Sequence, residues 1–141
     1  MGKHVVACIV GVLAIMALPL QAAQPDRSSS GPYVFIGFSS GTTKGGAGYP
    51  GMNALCQDDF GDDARMATTL EYIVSPDASA PGATTAWIDP VGSTGSTTCN
   101  GDWRSSVLGQ ASGLIIESAG SLGRTADCGI PRLVACSAPS P

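Results

Sequence analysis

Beyond its first two dozen residues, this 141-residue chain keeps its reactive chemistry in four cysteines, two tryptophans, two glutamates and a run of aspartates. The single histidine, His4, and a fifth cysteine, Cys8, precede them. Without a later histidine, Ser/His/Asp and Cys/His catalytic arrangements and histidine-based metal sites are excluded. Glu71 and Glu117 are the glutamates, and Glu71 has a capping role that explains it. No spacing nominates the facing carboxylate pair that a glycosidase needs. A carboxylate-based hydrolase is therefore the weakest of the functions considered, and the chain reads as a non-enzyme. Asp58, Asp59, Asp62 and Asp63 form the densest charge cluster, flanking Phe60-Gly61. Oxygen-rich loops with glycine hold Ca²⁺, but the alternate aspartates and terminal glutamate of an EF-hand are missing. A solvated acidic turn stands against the calcium site, and no other cofactor is indicated. Asn100, Asp102, Trp103 and Arg104 gather amide, carboxylate, indole and guanidinium on one loop, which suits recognition of a sugar or peptide. The competing role for Trp103 is to cover a disulfide at Cys99. Trp87, between Ala86 and Ile88, reads as core. Gly41-Thr42-Thr43-Lys44-Gly45-Gly46 imitates a phosphate loop only superficially, since its lysine precedes the last glycines.

The cysteines take their meaning from the leader. Lys3 is followed by an apolar run over residues 5–18 and small residues up to Ala23. That run is too short to span a bilayer and reads as a signal peptide of residues 1–23, cut after Ala22 or Ala23. Cys8 lies inside the apolar run rather than after it, which argues against a lipid anchor. The expected destination is secreted, periplasmic or cell-surface, with no membrane span in the mature protein. In an oxidising compartment an even count of cysteines points to two disulfides, with three pairings open, and no C-x-x-C pair suggests zinc or redox use. Loss of Lys3 leaves six basic against eleven acidic residues, a charge near −5. An acidic surface repels phosphate backbones, which argues against nucleic-acid partners.

The elements that must position these groups are short. Residues 24–32 are polar and Ser/Pro-rich, the composition of a flexible mature N-terminus. A domain over residues 33–138 follows, and residues 139–141 are a tail, with fraying expected from Ser137. Tyr33 to Phe38 reads as a first strand, and residues 39–51 as a glycine-rich loop without regular structure. Pro50 suits the first turn of a helix in which Met52, Leu55, Cys56 and Phe60 recur at helical spacing until Gly61. Thr68-Thr69-Leu70-Glu71 reads as a capping box opening a second helix that Pro76 stops. Ala86-Trp87-Ile88, residues 113–117 and residues 132–136 read as strands, the first cut by Pro90. Residues 92–98 are small and polar. The sum is an α+β domain with two short helices and short mixed or antiparallel strands joined by long loops.

From Cys99 the order Cys99-Asn100-Gly101-Asp102-Trp103-Arg104, Gly109-Gln110-Ala111-Ser112-Gly113-Leu114, Cys128 and Val134-Ala135-Cys136 resembles the C-terminal half of endostatin-like domains. Asn53-Ala54-Leu55-Cys56-Gln57 and Ala64-Arg65-Met66 are similar to the first helix of bacterial secreted versions, and Ala86-Trp87-Ile88-Asp89 to the tryptophan-isoleucine strand of C-type lectins. The resemblance covers residues 33–138. It implies a C-type-lectin-like, endostatin-like fold with nested disulfides, Cys56 with Cys136 and Cys99 with Cys128. Zinc ligation by histidines, heparin binding by arginine clusters and the Glu-Pro-Asn and Trp-Asn-Asp calcium motifs do not carry over, because this chain lacks them. What the resemblance leaves is a secreted binding module for a glycan or a surface or matrix protein. Its rival is a structural envelope or exoprotein domain without a soluble ligand.

Overall fold

The computed structural model describes residues 32–91, 97–109 and 111–141. The signal peptide with its cleavage sites and Cys8, the polar segment up to residue 31, most of the run 92–98, and Gln110 lie outside the described residues.

Aromatic and β-branched residues make Tyr33–Phe38 the first strand, β1, as the sequence predicts. Arg65–Met66 (β2), Ala86–Trp87 (β3), Ser112–Ile116 (β4), Leu122–Asp127 (β5) and Leu133–Pro139 (β6) complete a six-stranded sheet. Its order is β1-β6-β3-β4-β5, with β2 also paired to β6. Only β3 and β6 run parallel; the other pairs are antiparallel. Strand β6 carries β1 on one edge and, on the other, β3 beside Leu133 and Val134 and β2 beside Cys136 and Ser137. A strand flanked on both edges and covered on both faces reads as a continuous buried run, and Val134 through Ser137 are all buried. The tail expected to fray from Ser137 is therefore strand: Pro139 pairs with Tyr33, and the Ser140 N–H donates to the Pro32 carbonyl. Strand β5 has no sequence signal of its own. Glycine and charged residues interrupt its alternation, and pairing with β4 supplies the order.

The glycine-rich segment 39–51 is also held, contrary to expectation. The Ser39 N–H donates to the Val134 carbonyl, and the Val134 N–H to Ser39 Oγ, each at 2.8 Å. Thr43 and Arg132 exchange two backbone hydrogen bonds. Gly45 lies so close to the Cys99–Cys128 disulfide that a Cβ there would fall 2.1 Å from Cys99 Sγ, so its missing side chain is what lets the loop pass.

The first helix, α1, spans Gly48–Phe60. Pro50 sits in its opening turn, where the missing N–H leaves nothing unpaired, and Gly61 at φ 94° ends it. Met52 and Cys56 face inward, while Phe60 is half out, its ring over Gly37. The second helix, α2, spans Thr69–Val74 and opens on the expected capping box: Thr68 Oγ1 accepts from the Glu71 N–H, and the Glu71 carboxylate accepts from the Thr68 N–H. Cys56 joins Cys136, fastening α1 to β6, and Cys99 joins Cys128 inside the longer loop. Among the described residues no helix is long and apolar enough to cross a membrane.

Candidate functional site

The segment between β3 and β4 contains the structure's most unusual backbone. Cys99 (φ 49°), Asn100 (70°), Gly101 (80°), Asp102 (50°) and Trp103 (58°) all lie in the left-handed region. An L-residue held there costs about 1–2 kcal/mol, less for Asn and Asp, whose short polar side chains tolerate it. Such a run persists only where its surroundings over-determine it. Three restraints do so here. The disulfide fixes Cys99 to Cys128. The Trp103 N–H donates to the Thr98 carbonyl at 2.8 Å, and the Arg104 and Ser105 N–H groups both donate to the Cys99 carbonyl. The Trp103 side chain is fully buried and meets Trp87 edge to face, with ring centroids 5.5 Å apart.

Gly113 on β4 is the floor of this packing. A Cβ there would stand 2.6 Å from Trp103, 2.8 Å from Cys99 Sγ and 2.9 Å from Trp87. Trp87 is oriented from the far side, its Nε1–H donating to the Thr43 carbonyl at 2.8 Å with the Arg132 guanidinium 5.1 Å above its ring. Each indole is thus placed by glycines and backbone groups from loops that composition alone leaves unstructured.

Of the four candidate ligand residues, Asn100, Asp102 and Arg104 are exposed. Arg104 Nη2 lies 3.2 Å from Asp102 Oδ2, a solvent-facing ion pair. Trp103 does not join them at the surface, because its apolar area is spent on Trp87 and the disulfide. As a direct ligand contact it is corrected to the anchor beneath the turn.

Two residues without a sequence-level signal complete the site. Tyr49, in the first turn of α1, donates its hydroxyl to Asp89 Oδ1 at 2.8 Å. Asp89 follows β3, where Pro90 drew attention as a strand breaker and the carboxylate did not. Its backbone is tied to the start of α2: the Asp89 N–H donates to the Ala67 carbonyl, and the Thr69 N–H to the Asp89 carbonyl. Burial raises the Asp89 pKa, and the Glu71 charge adds to this, while hydrogen bonds from Tyr49 and Trp103 and the Arg65 charge oppose it. Burial, with Asp89 beside it, pushes the Tyr49 phenol up to about 12, and Asp102 contributes in the same direction. The Trp103 Nε1–H is buried and completes no well-formed hydrogen bond, yet it faces both groups closely enough to favour their ionised forms.

The acidic cluster does not converge on a cation. Asp59 spends its carboxylate on the Ser40 N–H and hydroxyl, which lowers its pKa. Asp58, Asp62 and Asp63 are exposed around Gly61. Among the described residues no three Asp, Glu, His or Cys side chains gather to hold a metal, which corrects the calcium candidate to an acidic turn with one structural aspartate. Glu71 is doubly engaged, by the Thr68 N–H and by a bidentate ion pair with Arg65.

No protein-family model matches the chain, and no curated protein or solved structure matches it either.

Proposed function

We propose that this chain is a secreted, non-catalytic binding module of C-type-lectin-like, endostatin-like architecture. Its turn Cys99–Trp103 and the adjoining Arg104 recognise a hydroxyl-rich ligand, a glycan of a cell surface or matrix. The observation that carries this reading is the left-handed turn, held rigid from below while Asn100, Asp102 and Arg104 face solvent. Strain of several kcal/mol that the core could avoid is retained where it fixes side chains for a purpose. A preformed site spares a ligand the cost of ordering flexible side chains. Chemically, Asp102 accepts hydrogen bonds, Arg104 donates them in a planar fork and Asn100 does both, which matches neighbouring hydroxyls of a sugar ring. The engagement of Glu71 by Arg65 and Thr68 supports the non-catalytic reading, since it leaves that carboxylate no proton to move.

A printed glycan array, read with and without EDTA, tests the proposal. Binding that survives EDTA and falls at least tenfold in the double variant Asp102→Ala/Arg104→Ala supports it. A blank array in both conditions favours the structural-module alternative.

A further inference from the structure

We infer that the Asp89 carboxylate is a pH-sensitive latch for the turn: ionised, it holds the Tyr49 hydroxyl and draws the Trp103 N–H; protonated, it slackens its hold on the indole and on the residues anchored by it. The consequence for ligand binding rests on the function proposed above; the structural part does not.

Asp89 stands where four other parts of the fold meet. Its main chain is fixed to Ala67 and Thr69 by two hydrogen bonds, so the carboxylate has little freedom to follow its partners. From α1, Tyr49 donates to Oδ1. From the turn comes the Trp103 Nε1–H, buried and short of a completed bond. An N–H left unpaired in the interior costs about 1–3 kcal/mol, so the indole takes up whatever acceptor it faces. The charged groups bearing on the pair are Arg65 of β2, which favours the anion, Glu71 of α2, which opposes it, and Asp102 of the turn, which acts on Tyr49. Arg65 cannot neutralise Asp89 fully, being committed to Glu71.

Hydrogen bonds to an ionised acceptor are roughly twice as strong as those to a neutral one. Adding one proton to Asp89 weakens the pull on Trp103 while the backbone strain of the turn is unchanged. Relaxation of Asn100, Asp102 and Arg104 follows. Burial places the change above the usual carboxylate range. The proton that loosens the turn also relieves a buried charge, so acidification raises global stability while it lowers binding. A general acid effect would lower both.

The test follows the two indole N–H resonances of the protein by ¹H–¹⁵N NMR from pH 8 to pH 4. The Trp103 resonance is expected to move with one midpoint above the ordinary aspartate range, while Trp87, bound to the Thr43 carbonyl, stays still. Asp89→Asn, checked for folding by circular dichroism, is expected to abolish the movement. Tyr49→Phe removes a hydrogen bond that favours the anion, so its midpoint is expected to rise. On the glycan array the signal is expected to fall about three- to tenfold across the same midpoint. A blank array with a titrating Trp103 removes the binding role and leaves the latch standing. The latch is overturned by a motionless Trp103, by titration of Asp89→Asn like the parent, or, if that variant does not fold, by an unshifted midpoint in Tyr49→Phe.

Discussion

Gly113 shows how little tolerance the site has for a single methyl group. With two indoles and a disulfide sulfur inside 3 Å of its absent Cβ, Gly113→Ala must displace core groups. Overpacking of this kind costs about 1–3 kcal/mol, read as a fall in the urea midpoint at constant slope. Trp103→Ala removes the anchor itself and is expected to cost about 3–5 kcal/mol by the same measurement. At the surface the balance reverses: Asp102 and Arg104 are 66% and 75% exposed, so deleting their ion pair changes stability by no more than about 1 kcal/mol. Two aspartates give the stability–pH curve its shape. The Asp89 pKa is raised by folding, so the fold gains stability as pH falls through that raised value. The Asp59 pKa is lowered by Ser40, so its contribution is present above the ordinary aspartate range and disappears as pH falls through the lowered value. Thermal unfolding is expected to peak in mild acid and decline below it. Asp89→Asn removes the rise, and a curve that still rises in that variant would contradict the assignment.

The elements differ in how openly their sequences announce them. Thr68 and Glu71 specify the start of α2 by themselves, because a capping box needs only side chains three residues apart and the local backbone. Thr68→Ala is accordingly expected to cost about 1 kcal/mol in chemical denaturation. The Arg65–Glu71 pair was not legible, since it forms only when β6 brings β2 under the helix. Nor does the apolar pattern of α2 follow the usual rule: Leu70, Ile73 and Val74 are more than half exposed, while Glu71 and Tyr72 turn inward. Ile73→Ser is therefore expected to change stability by less than about 0.5 kcal/mol, where a core isoleucine would cost several times more. Strand β1 was legible from its aromatic and β-branched residues. Strand β5 and the end of β6 were not, because long-range pairing overrides a weak local pattern.

Over the whole molecule, the two disulfides divide the work. The Cys56–Cys136 link closes 80 residues and binds α1 to the central strand, whereas Cys99–Cys128 closes 29 and fastens the turn. Chain entropy assigns them about 4.5 and 3.5 kcal/mol. The four cysteines made two cross-links legible from counting, and the α+β character was legible from alternating short patterns. The candidate site was only half legible. Asn100, Asp102 and Arg104 stand together in the sequence, but their rigidity depends on Gly45, Gly113, Tyr49 and Asp89, which join them only through the fold. The depth of Trp103 followed from neither its neighbours nor its spacing. The central claim is that this rigid turn is a recognition surface, and glycan-array binding by the parent protein beside Asp102→Ala/Arg104→Ala, with unfolding temperatures measured in parallel, tests it most directly. The expected result is EDTA-resistant binding by the parent and at least tenfold loss in the variant at an unchanged unfolding temperature. Equal binding by both proteins, or none by either, would contradict it.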